Sequence, residues 1–195
     1  MNRKVLLIFS FALISCCYIS CEQKSAYEQL VDRHYQKGTQ NDSLFLGYHF
    51  GMTRDEFYDH SWKLNSQKVV REGNNNESVR YEVDNLKSRA KKNFYPLFHQ
   101  DSIYSMPVKY SYTGWAPWNK DLWADSLEQD ILKVFQERYN NRFQKMTHPE
   151  KGVPAHILID GNKRIAIYQM DDNMQVAVVY TDLDVLSQIQ KAEEE

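Results

Sequence analysis

The spacing of apolar and polar positions changes several times along the chain, and each change marks an element. Residues 5–14 (VLLIFSFALI) are apolar in nine of ten positions. Residues 26–37 carry Tyr27, Leu30, Val31, His34 and Tyr35 at helical spacing and are closed by Gly38, which predicts a helix. A polar run then leads to an extended apolar piece at 44–50. Thr53 and Glu56 have the spacing of a capping box, Met52 and Phe57 that of a hydrophobic staple, and Asp55 suits the positive end of a helix. Together they predict a helix from 54 to about 64.

Further on, Val79-Arg80-Tyr81-Glu82-Val83-Asp84 alternates with period two, as does Val108, Tyr110, Tyr112, and both predict strands. A long helix is predicted from 121 to about 146, with Trp123, Leu127, Ile131, Val134, Phe135, Tyr139, Phe143 and Met146 as its apolar stripe. Residues 156–159, 164–169 and 174–181 form strand-like runs, separated by Asp160-Gly161-Asn162 and Asp171-Asp172-Asn173. Asp182 then caps a last helix from 183 to about 191. The expected class is α+β: an antiparallel sheet with a C-terminal three-stranded meander. Helices, including one long amphipathic helix, are expected to cover one of its faces.

The first apolar run has a different character. Arg3 and Lys4 precede it, and it is too short to cross a membrane, which takes about 20 apolar residues. A basic head, a short apolar block and a small residue are the parts of a secretory signal peptide. Leu13-Ile14-Ser15-Cys16 closes the block and resembles the lipobox of bacterial lipoproteins. The resemblance implies that residues 1–15 are removed and that Cys16 carries the lipid. Cys21 is the rival, although Tyr18 stands where the pattern wants an aliphatic residue, and Cys17 follows a cysteine instead of a small residue. Residues 16–26 then form a tether and residues 27–195 a single domain. Two or more acyl chains anchor a protein stably where one holds only marginally. In lipoprotein families an Asp directly after the lipidated Cys favours the inner membrane. Cys17 occupies that position, so the resemblance implies a cell-envelope protein of the outer membrane.

A second, local resemblance lies at Gly51-Met52-Thr53-Arg54-Asp55-Glu56-Phe57. It is similar to the opening of the first helix in the small outer-membrane assembly lipoproteins of the SmpA/OmlA type. The similarity stops at Trp62-Lys63-Leu64-Asn65, where that family has Gly-x-Pro. It implies a small α+β lipoprotein and no particular partner.

Composition limits the chemistry. The chain has 195 residues with 24 basic and 26 acidic side chains. Loss of Arg3 and Lys4 leaves 22 basic residues and a net charge of −4. That balance gives no basic surface for nucleic acid. All three cysteines precede Glu22, so the domain has no thiol for catalysis, metal binding or disulfides. The seven glycines are isolated, and neither a phosphate loop nor a G-x-S-x-G elbow occurs. Glu56 and His60 are four residues apart and read as a surface pair ahead of a metal pair, while Asp171 and Asp172 read as turn residues ahead of an acid/base pair. No cofactor, metal site or catalytic residue is expected. The protein is expected to be non-catalytic, binding or scaffolding an envelope partner.

One segment has more aromatic residues than a loop requires. Three of four tryptophans, Trp115, Trp118 and Trp123, fall within residues 115–123 around Pro117. Tyr112, Trp115 and Trp118 are the candidate ligand-binding residues, and flat rings of this kind suit a glycan, which makes a carbohydrate-binding module the alternative function. The competing reading folds the same rings over the core as a cover.

Overall fold

The structure, a computed structural model, describes residues 24–36, 40–73 and 78–193. The export segment and Cys16, Cys17 and Cys21 lie outside the described residues. Helix α1 (Ala26–His34) opens on a capping box between Ser25 and Glu28, and α2 (Arg54–Ser66) on the predicted one between Thr53 and Glu56. The strands that follow are β1 (Arg71–Glu72), β2 (Val79–Val83), β3 (Ala90–Phe94), β4 (Leu97–His99) and β5 (Ser102–Tyr112). A 3₁₀ turn (Lys120–Leu122) leads into α3 (Ala124–Arg138). Strands β6 (Gln144–Thr147), β7 (Pro154–Asp160), β8 (Lys163–Gln169) and β9 (Gln175–Asp182) precede α4 (Leu183–Glu193).

All the strands join one antiparallel sheet in the order β1-β2-β3-β5-β9-β8-β7-β6, with β4 pairing β5. The chain is therefore α+β, as its pattern predicts. Strand β5 joins the two halves: it pairs β3 from Val108 to Tyr112 and β4 up to Ser105, with Pro107 at the change of partner. Proline cannot donate to a ladder and is tolerated at such irregular points.

Three expectations are corrected. The long helix stops at Arg138 rather than near Met146, because Asn140 and Asn141 both take positive φ (53° and 57°) and reverse the chain. Phe143 then folds back edge-on to Phe135 and Tyr139, which is why it matched the helical stripe. Residues 144–147 become β6, so the meander has four strands. Trp123 sits outside the helix at its N-cap.

The third correction concerns the layers. Successive strand residues face opposite ways, and in β7–β9 both ways are apolar. Leu158, Ile165, Ile167, Val176, Val178 and Tyr180 pack with Leu127, Ile131 and Phe135 of α3, in the same cluster as Phe57 of α2. Ile157, Ile159, Ala166, Tyr168 and Ala177 pack with Leu30 of α1 and Leu183 of α4. Helices thus cover both faces of the C-terminal half. The Tyr35 hydroxyl donates to Asp184 and ties the end of α1 to α4. Each of the fully buried aliphatic side chains contributes about 1.5–3 kcal/mol.

Candidate functional site

Strand β3 places its inward side chains at Ala90, Lys92 and Phe94, so a lysine occupies the middle of a core row. Lys92 is 7% exposed. Its register partners are Tyr81 on β2 and Tyr110 on β5, which puts an ammonium between two tyrosines on one face of three adjacent strands. Its Nζ lies 3.7 Å from the centroid of the Phe45 ring and 5.0 Å from that of Tyr81. Ring faces offset part of the cost of burying a cation, but they supply no acceptor. Burial, with the charge of Arg138 adding to it, pushes the Lys92 amine from 10.5 down to about 7.

The other buried cations each have acceptors, although Arg164 keeps its Nε enclosed without one. The ammonium of Lys163 donates to Asn41 Oδ1 at 2.8 Å and to the Ser43 carbonyl at 2.9 Å. The Arg164 guanidinium donates to both oxygens of Glu150 and to the Tyr27 hydroxyl. Lys92 has neither a hydrogen-bond acceptor nor a carboxylate among the described residues. Among the described residues the enclosed polar atoms without a partner are Trp115 Nε1 and Arg164 Nε, so the Lys92 Nζ keeps surface toward the cavity, where water or a ligand can accept from it.

Lys92 lines a cavity of about 320 Å³ between the sheet and α3. Phe45, Leu46, Tyr81 and Phe135 give it apolar walls, and Tyr110 and Tyr180 line it from β5 and β9. Burial holds both of these phenols well above their ordinary pKa, so they are neutral hydroxyls and potential donors. Neither hydroxyl has a hydrogen-bond partner among the described residues. Arg138, exposed at the end of α3, lines the cavity together with the loop of Asp84, Asn85 and Leu86. Phe45 and Leu46 reach it from a tight hairpin in which the Tyr48 amide bonds the Phe45 carbonyl, with Leu46 and Gly47 at φ 54° and 84°. A leucine with positive φ is strained, and such strain collects at binding sites.

The residues singled out from sequence do not converge. Tyr112 is 3% exposed, packs in the core and donates its hydroxyl to Asp130 at 2.9 Å. Trp115 is half-buried, with its indole N–H buried and without a partner. Trp118 is 85% exposed. A platform of the three rings is therefore not formed. Glu56 Oε2 accepts from the Thr53 amide, and His60 Nε2 bonds the Leu46 carbonyl at 2.7 Å, so neither is free for a metal. Asp172 Oδ1 accepts from the amides of Met174 and Gln175, the turn role its position suggests. Among the described residues no three metal-ligating side chains meet, and no helix is long and apolar enough to cross a membrane.

The Lys92 cavity escaped the sequence because Ala90-Lys91-Lys92-Asn93-Phe94 has no apolar alternation; the signal lay in the lysine itself, which hides the strand that carries it. No family model matches the chain, and neither a curated protein nor a solved structure matches it.

Proposed function

We propose that this is a lipid-anchored envelope protein, held through Cys16 at the outer membrane, whose domain binds a small molecule with an anionic group and an apolar body. The observation that carries the ligand class is Lys92, buried and without an acceptor at the wall of an aromatic cavity. An anion entering there supplies the missing counter-charge, and the hydroxyls of Tyr110 and Tyr180 add donors. The apolar body finds Phe45, Leu46, Ile131 and Phe135. Exposed Arg138 steers anions toward the opening. The cavity volume of about 320 Å³ suits a compact ligand, at the low end of small-molecule sites. Among the described residues, the one carboxylate in the cavity wall is Asp84, on the exposed loop.

Titration with the anionic aromatic dye 8-anilinonaphthalene-1-sulfonate, displaced by benzoate or hexanoate, tests the reading. One site is expected, weakened at least tenfold in Lys92→Met, about 1.4 kcal/mol. The anion binds the ammonium form, so affinity falls as pH rises above about 7, where the free amine loses its proton. Binding that ignores both the substitution and pH rejects the cavity as an anion site. For the anchor, Cys16→Ala should move the protein out of the membrane fraction and Cys21→Ala should not.

A further inference from the structure

A second groove runs along α2, its floor reaching the buried Phe57 and Val70. Tyr58 and Trp62 are one helical turn apart and point the same way, 49% and 79% exposed. With Tyr95 they line a groove of about 510 Å³ between α2 and the β1–β2 edge of the sheet. The Tyr58 and Tyr95 hydroxyls meet at 2.7 Å and fix two of the rings. Asp59, Asn65, Arg71 and Glu72 line the same groove, and their side chains make no hydrogen bond or ion pair among the described residues.

We infer that this groove binds a neutral glycan, with Trp62 stacking on a sugar ring and the Asp59, Asn65, Arg71 and Glu72 side chains hydrogen-bonding its hydroxyls. The two ingredients of sugar recognition are both present: an exposed flat ring for the apolar face of the sugar, and planar polar groups that can take two adjacent hydroxyls at once. Two carboxylates against one guanidinium disfavour an acidic sugar. A protein partner fits less well. Polar Asp59, Asn65, Arg71 and Glu72 share the groove wall with Tyr58, Val70 and Tyr95, so Trp62 does not stand in a continuous apolar patch. The bordering edge strand β1 has only two residues, too few for an added peptide strand to pair with. The groove does not include Lys92 and stands apart from the anion cavity.

Detergent-solubilised full-length protein, titrated by intrinsic fluorescence with malto-, cello-, xylo-, laminari- and mannohexaose, tests the inference. At least one hexasaccharide should bind. Trp62→Ala should weaken that binding by about tenfold or more, as loss of a central aromatic contact does, while Trp118→Ala and Lys92→Met leave it unchanged. Trp62 is too exposed for its removal to unfold the protein, which equal urea midpoints will verify. Absence of binding by all five sugars, or binding indifferent to Trp62→Ala, overturns the inference. So does self-association in sedimentation that Trp62→Ala abolishes, because the groove is then a contact between copies.

Discussion

Arg164 donates to both carboxylate oxygens of Glu150, at 2.7 and 3.0 Å, from a position in the middle of the sheet where it is 4% exposed. Nδ1 of His148 lies 3.1 Å from the same carboxylate. Burial alone would raise the Glu150 carboxyl, but the hydrogen bonds to His148 and Arg164 outweigh it and hold Glu150 at about 2, below its ordinary 4.5. A carboxylate lowered in the folded state stabilises above the unfolded value, and that stability is lost as pH falls through the folded one. Glu150→Gln should therefore cost about 2 kcal/mol at neutral pH. The fully buried case would reach about 3–5 kcal/mol, but Glu150 keeps 37% of its side chain in water. Urea midpoints of the two proteins should converge between pH 4.5 and about 2. A constant gap across that range would show that the carboxylate's charge plays no part.

Lys92 gives the opposite case, a cation that the fold works against. Its amine is lowered to about 7 from 10.5, so the unfolded chain binds more protons between those values and stability climbs as pH rises through them. Lys92→Met keeps the length and apolar stem while removing the desolvated charge. It should stabilise the protein at pH 7 by about 1–3 kcal/mol, in the range seen when buried charges give way to apolar side chains. It should also flatten the rise in stability between pH 7 and 10.5. The same variant loses the anion, so affinity and stability move in opposite directions. Destabilisation at pH 7 would instead mean that the rings of Phe45 and Tyr81 fully compensate the buried ammonium.

What the sequence made legible were elements whose local chemistry and tertiary role agree. The capping box of Thr53 and Glu56 forms with both bonds, Met52 and Phe57 are buried beside it, and Asp182 accepts from the amides of Asp184 and Val185 to start α4. Local hydrogen bonding determines such features, so a single window of residues contains them. The capping physics accounts for the Gly51–Phe57 string by itself. The misses arise where distant partners decide. Ala90–Phe94 is a strand because β2 and β5 pair with it on either side, although only two of its inward residues are apolar. Phe143 and Met146 keep helical spacing by coincidence after Asn140 and Asn141 have turned the chain. Neither ligand site could be assembled in advance. The Lys92 cavity draws on residues from Phe45 to Tyr180, and the groove pairs α2 with β1, β2 and Tyr95.

The hairpin tip that closes the Lys92 cavity depends on Gly47. Its φ of 84° belongs to the region that side chains rarely adopt, and an added Cβ would lie 3.1 Å from the His60 ring, which is itself held by the Leu46 carbonyl. Gly47→Ala should cost about 1–3 kcal/mol from the backbone conformation, before any displacement of His60. Thermal unfolding measures the loss. Because the same turn presents Phe45 and Leu46 to the cavity, dye affinity should fall as well. A variant with native melting behaviour would show that the hairpin relaxes at no cost.

Asp130 on α3 fixes the far rim. Its Oδ2 accepts from the Tyr112 hydroxyl at 2.9 Å and from the Lys87 amide at 2.7 Å, joining helix, sheet and the loop that carries Asp84, Asn85 and Leu86. Tyr112→Phe removes one of the two donors and leaves the other, so a loss of about 1 kcal/mol is expected with the loop still held. Asp130→Ala releases the Tyr112 hydroxyl and the Lys87 amide together and should cost about 1–3 kcal/mol. The two variants separate in hydrogen exchange. The Lys87 amide should stay protected in Tyr112→Phe and exchange faster in Asp130→Ala, because only the second loses its acceptor. If the loop rim orders the anion site, dye affinity should follow Lys87 protection rather than global stability. Equal exchange in both variants would mean that the rim is held by the packing of Leu86 and not by Asp130.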